Sequence, residues 1–151
     1  MKTRLPPLVT LAALLAVTAA RLCAAADYHI TCPPTFEAQA IKFGPVTPGW
    51  TPFAPSSLTV QEGFILYGPP QSLAYAKPGT VQEGTQSTKA TWDLQGSPQL
   101  EKWLSCGYGD GHELTLSKQL PSDVATCTIV ATKDKLRGVV GVVAHCKSNG
   151  K

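Results

Sequence analysis

The chain reads as an all-β protein, a small antiparallel sandwich or barrel of about eight short strands held by two disulfides. Three observations predict this class. Runs of alternating apolar and polar residues recur along the chain, for example Leu58 to Tyr67 and Ser87 to Leu94. Gly- and Pro-rich turn signals separate them, and no segment beyond residue 26 carries a 3.6-residue repeat. Four cysteines (Cys32, Cys106, Cys127 and Cys146) are spread across the same region.

The first residues are read apart from the domain. Met1–Lys2–Thr3–Arg4 is basic, Leu5 to Ala20 is largely apolar, and Ala24–Ala25–Ala26 precedes Asp27. This is the pattern of a secretory signal peptide cleaved near Ala26. The apolar run falls short of the ~20 residues of a membrane span, and Arg21–Leu22 before Cys23 lacks the small residues of a lipidation site. Residues 27–151 are then expected to form a single β domain, periplasmic or secreted. Lys2, Arg4 and Arg21 leave with the leader and no acid does, so the 13 basic residues of the whole chain fall to ten, against ten acidic ones. A neutral domain offers no field for nucleic acid and no basis for stable membrane insertion after cleavage.

Tyr28 to Cys32 alternates and is read as a strand stopped by Pro33–Pro34, and Phe36 to Phe43 as a second strand. Pro45, Pro48, Pro52 and Pro55 exclude helix from the next segment and disfavour a central strand. Its aromatics, Trp50 and Phe53, are expected to tuck onto the core, although Trp50 is equally placed to form a binding surface. Leu58 to Tyr67 is a strand in which Glu62 falls on the apolar face, so a bulge is expected near Glu62–Gly63. Gly68–Pro69–Pro70 turns the chain, and Val81 to Gln86 reads as a polar loop.

Ser87 to Leu94 places Ala90, Trp92 and Leu94 on one face. A helical turn is expected around Gln99 to Lys102. Trp103 to Cys127 is a three-stranded meander, turned by Gly109–Asp110–Gly111 and by Leu120–Pro121–Ser122–Asp123. Trp92 and Trp103 are read as core. The last strand, Gly138 to Cys146, is apolar on both faces, so both its sides are expected to be covered. Lys133 to Arg137 forms the turn before it.

Four cysteines allow three pairings. In the meander, Cys106 and Cys127 lie two strands apart, roughly 10 Å, beyond the ~7 Å that a disulfide spans between Cα atoms. Cys127 and Cys146 face each other across the last hairpin. Geometry therefore favours Cys32–Cys106 with Cys127–Cys146.

The one cluster with a catalytic or metal-binding look is Asp110–Gly111–His112–Glu113, which also reads as an ordinary turn opening a strand. A Ser105–His112–Asp93 triad lacks a nucleophile elbow. Glu62, Glu83 and Glu101 are scattered carboxylates that nothing pairs. No catalytic, cofactor or metal residue is assigned and no cofactor is expected. The candidate binding loops carry Trp50 and Phe53; Tyr67, Pro69 and Pro70; Asp110 and His112; and Lys135 and Arg137. Loops fixed by proline and presenting aromatics lose little entropy on docking.

Cys32–Pro33, Gly49–Trp50, Tyr67–Gly68–Pro69–Pro70, Trp92–Asp93–Leu94, Trp103-x-x-Cys106-x-Tyr108, Leu120–Pro121 and Cys127 occur in an order that resembles a family of small exported proteins of Gram-negative bacteria to which no activity is assigned. The resemblance spans most of Cys32 to Cys146. It implies a periplasmic setting and a disulfide scaffold, and no activity. A fainter likeness, in size and disulfide-stapled β build, is to periplasmic lysozyme inhibitors. The expected function is an exported, non-enzymatic protein-binding module, of the inhibitor or immunity type against an envelope-attacking enzyme. The alternatives are a small metal-binding or hydrolytic protein centred on Asp110, His112 and Glu113, and a structural factor of envelope assembly.

Overall fold

A computed structural model describes residues 25–150. The expected leader, residues 1–26, with Cys23 in it, lies outside the described residues except for its last two positions. Nine strands follow: β1 Asp27–Thr31, β2 Thr35–Phe36, β3 Leu58–Tyr67, β4 Thr80–Glu83, β5 Ser87–Asp93, β6 Lys102–Tyr108, β7 Leu114–Gln119, β8 Val124–Asp134 and β9 Gly138–Ser148. They form two antiparallel sheets, ordered β1-β9-β8-β5-β4 and β2-β3-β6-β7. The sheets face each other across one core that includes Val60, Ile65, Leu104 and Tyr108 from the second sheet and Trp92, Ile129, Val142 and Ala144 from the first.

Alternation explains which residues turn inward. On β8 and β9, Cys127, Ile129, Val142, Ala144 and Cys146 are buried while their neighbours are half-buried or exposed. The register shift between Val60 and Glu62 turns Glu62 off the inner face and brings Gly63 and Ile65 onto it after Val60. The disulfides join Cys32 to Cys106 and Cys127 to Cys146. The second bridge closes a direct cross-strand pair of the β8–β9 hairpin. The first ties the end of β1, in one sheet, to β6 in the other.

Five local expectations are corrected. The second strand stops at Phe36 and gives way to a 3₁₀ turn at Ala38–Ala40. Its partner β3 begins only at Leu58, and extending the hairpin would oppose it with Pro55, which has no N–H to give. Thr80–Glu83 is not loop but an edge strand on β5, exposed throughout, so no apolar alternation marks it. No helical turn forms at Gln99 to Lys102; Lys102 instead begins β6. Trp103 is only half-buried, on the outer face of its sheet. The last strand is covered on one face alone. A bulge between Thr132 and Lys133 leaves Val140 exposed, and Val143 is half-buried on the open side.

Two polar groups are built into the core. Lys102 is 2% exposed, and its ammonium donates to the carbonyls of Ser122 (2.8 Å) and Val124 (2.9 Å). Burial holds its pKa below the ordinary lysine range, with Asp123 pulling the other way. It fastens the start of β6 to the turn before β8. The Tyr108 hydroxyl donates to the Pro33 carbonyl at 2.9 Å, and burial pushes its pKa up. A folded value above the unfolded one contributes stability that is fully present below the ordinary tyrosine range near ~10 and is lost as pH rises through the raised value. Tyr108→Phe, which leaves that carbonyl unpaired, should cost about 1–2 kcal/mol at neutral pH. Its urea midpoint should then fall less than the parent's between neutral pH and about pH 11, above the ordinary tyrosine range. An equal alkaline fall in both proteins would count against this assignment.

Candidate functional site

The long connection between β2 and β3 forms an arm. Its base is closed by the pairs Thr35↔Thr59 and Phe36↔Leu58. The Glu37 carboxylate then acts as a clasp, accepting from Ser57 Oγ at 2.8 Å and from Thr35 Oγ1 at 3.1 Å, while Ala38 N–H donates to Ser57 Oγ at 3.3 Å. Beyond the clasp, the four prolines keep the chain out of any ladder. A turn at Thr47 to Trp50 reverses it, with Gly49 at φ 86°, a left-handed value glycine adopts without strain. Trp50 and Phe53 do not tuck onto the core: they are 76% and 79% exposed, with Phe43 and Val46 exposed beside them in sequence. The reason is topological. The inner face is already filled from both sheets, and the arm, paired to nothing, is carried outward from the edge.

The other predicted loops lie elsewhere. Pro69 and Pro70 line a shallow hollow with Leu73, Trp103, Thr115 and Ser117 on the outer face of β6 and β7. Tyr67 ends β3 beside them and is half-buried. Lys135 and Arg137 flank the tip of the β8–β9 hairpin, where Leu136 is 96% exposed and Asp134 Oδ1 accepts from the backbone N–H groups of Leu136 and Arg137. Asp110 and His112 sit in the β6–β7 turn, His112 at φ 53°. Among the described residues, no hydrogen bond joins these loops to the arm.

The catalytic constellations do not assemble. His112 Nε2 lies 3.4 Å from Glu62 Oε1, an exposed contact with β3 rather than with Asp110 or Glu113. Among the described residues, no three His, Cys, Asp or Glu side chains converge on a point that could hold a metal. Ser105 is buried and shares a 2.7 Å hydrogen bond with Ser117, while Asp93, in the other sheet, accepts from Gln95 N–H. Glu101 accepts from the Trp103 indole. Glu83 accepts from Thr88 and lies 3.3 Å from Lys133; the Thr88 hydrogen bond, then Lys133, hold its pKa below the usual carboxylate range.

Sequence reasoning missed a cleft of about 510 Å³ at the mouth of the sandwich. Phe64, Ala76, Ala90, Trp92, Ile129 and Val139 give it an apolar lining, and Glu62, Lys77, Glu83 and Lys133 ring it with both signs of charge. Trp92 is fixed there by its indole N–H, which donates to the Ala76 carbonyl at 2.8 Å. The only sequence signal was the set of small residues (Gly63, Ala76, Ala90 and Ala131) around one tryptophan, and it became readable only once β4 was known to be a strand.

No helix among the described residues is long and apolar enough to cross a membrane. No curated protein matches the chain, and no solved structure does. A family described as type VI secretion system Tli immunity protein matches residues 56–147. The match takes in β3 to β9 apart from the last residue, and with them the Tyr67, Trp92, Trp103, Cys106, Tyr108 and Cys127 positions of the pattern noted above; β1, β2 and all of the arm but Ser56 and Ser57 precede it. Covering more than half of the sequence, the match establishes that this chain belongs to the family of type VI secretion system Tli immunity proteins.

Proposed function

We propose that this immunity protein acts in the periplasm, where it neutralises an envelope-attacking type VI effector by binding it, with no chemistry of its own. The observation that carries this reading is the family match over the sandwich. The two disulfides suit an oxidising compartment, and the basic–apolar–small start of the chain suits export. The scattered carboxylates and the buried, hydrogen-bonded Ser105 favour occlusion of the effector over catalysis.

The arm is the surface we assign to the effector. Two large aromatics, exposed on a proline-stiffened segment whose base is clasped, are the kind of anchor that carries most of an interface's energy. Joint replacement of Trp50 and Phe53 by alanine should weaken binding of the cognate effector roughly a hundredfold to a thousandfold, at ~2 kcal/mol for each anchor. The melting temperature should stay unchanged, since neither ring packs on the core. Surface plasmon resonance with the purified effector, alongside survival of cells that export the effector with either version, measures both effects. Unchanged affinity would move the interface onto the sandwich itself. Protection that persists after deletion of the leader would overturn the periplasmic assignment.

A further inference from the structure

The outer face of the five-stranded sheet carries two histidines that the immunity reading does not use. His29 on β1 and His145 on β9 are direct cross-strand partners. Their rings meet edge to face, with centroids 4.5 Å apart and planes inclined at 76°. The two Nδ1 atoms are 3.2 Å apart. We propose that His29 and His145 form a two-histidine site for a first-row divalent transition-metal ion.

The nitrogen separation is that of a shared ion. Zinc–imidazole bonds of ~2.0–2.1 Å at a tetrahedral angle set two donor nitrogens about 3.3 Å apart. The observed 3.2 Å spacing therefore matches the donor separation that one ion requires. Without an ion, a hydrogen bond between the same atoms needs one Nδ1 protonated and the other bare. With one, both Nδ1 atoms are bare and the protons sit on Nε2.

The backbone under the pair is fixed in advance. Cys146, next to His145, is bonded to Cys127 on β8, and Cys32, three residues beyond His29, is bonded to Cys106. Each histidine thus stands on a strand stapled within a few residues, which lowers the ordering cost of closing the site. Both side chains are exposed, so an ion enters from solvent. Flanking pairs on the two strands are Asp27 with Lys147 and Thr31 with Val143, and Thr128 faces His145 from β8. No third histidine, cysteine or carboxylate joins the pair among the described residues, so water completes the coordination. Imidazole donors suit zinc and copper. A bound ion would clamp β1, an edge strand, against β9.

Calorimetric titration of the metal-stripped protein with zinc chloride tests the site. One zinc per chain is expected. His29→Ala and His145→Ala should each weaken binding by at least the ~10–100-fold that loss of a mere supporting partner costs at metal sites, and His112→Ala should not. Zinc should also slow amide exchange in β1, an effect absent from both variants. Both histidines are exposed, so neither substitution threatens the fold. Binding that survives His145→Ala would place the ion on β1 alone, and one zinc per two chains would place it between copies. Either result, or the absence of a saturable site, would overturn the proposal.

Discussion

Replacing Cys32 and Cys106 together by alanine is expected to lower the stability of the domain by about 4 kcal/mol, a larger loss than any other single bridge or contact described above. The bridge spans 74 residues of sequence, and cross-linking stabilises by removing loop-closure entropy from the unfolded chain, more so for longer loops. It is also the link between the two sheets. Cys32 N–H donates to the Val142 carbonyl and so belongs to the first sheet, while Cys106 lies in the middle of β6 in the second. Both cysteines are buried, so alanine adds the loss of packed sulfur to the entropic term. Cys127–Cys146 spans only 19 residues and joins strands already paired in one hairpin. Its removal should cost less, about 3 kcal/mol. Urea denaturation of both double variants gives the comparison. A greater loss from the hairpin bridge would show that native-state packing, not unfolded-chain entropy, governs these disulfides.

The second large effect is expected at Gly63. This residue needs no unusual backbone angle; it is required by closeness. A Cβ built there would lie 2.8 Å from Val142 Cγ1 and 2.9 Å from Ile129 Cγ2. Real Cβ atoms do not tolerate such contacts, and both opposing groups are short branches on fully packed strands that cannot swing away. Overpacking of this kind costs about 1–3 kcal/mol, against which alanine recovers the 0.5–1 kcal/mol or so that glycine forfeits in a strand. Gly63→Ala should therefore destabilise by about 1–2 kcal/mol and Gly63→Val by more. Combined with Val142→Ala, Gly63→Ala should cost less than the two single changes added together, because the smaller residue opposite makes room. Strict additivity in thermal or urea unfolding would place the sheets farther apart than described here.

How much of this was legible in the chain depends on what each residue answers to. Trp92, Ile129 and Cys127 answer to the pleat of their own strand, so alternation found them. The bulge at Val60–Glu62 was legible because Glu62 would otherwise point into the core. Thr80–Glu83 was not, because an edge strand exposed throughout has no face for a pattern to mark. Lys102 was invisible as a buried group, since its burial depends on two carbonyls contributed from some twenty residues away. The exposure of Trp50 and Phe53 turned on whether the sheets left any inner surface for them, which no local pattern records. His29 and His145 meet only through the register of β1 on β9, across 116 positions of sequence. The candidate surfaces were therefore named loop by loop, while which of them stand open to a partner was a property of the assembled sandwich.

The clasp at the base of the arm has a consequence in polymer terms. Glu37 and Ser57 bring the ends of the connection together locally, so the arm's length enters the stability of the domain only through the closure entropy of one loop. That cost grows with the logarithm of length, by about 0.6 kcal/mol for a doubling. The sandwich and its arm are in this sense separate design problems. The first is constrained residue by residue by a packed interior, and the second is free to lengthen, shorten or change its tip without renegotiating the fold that presents it.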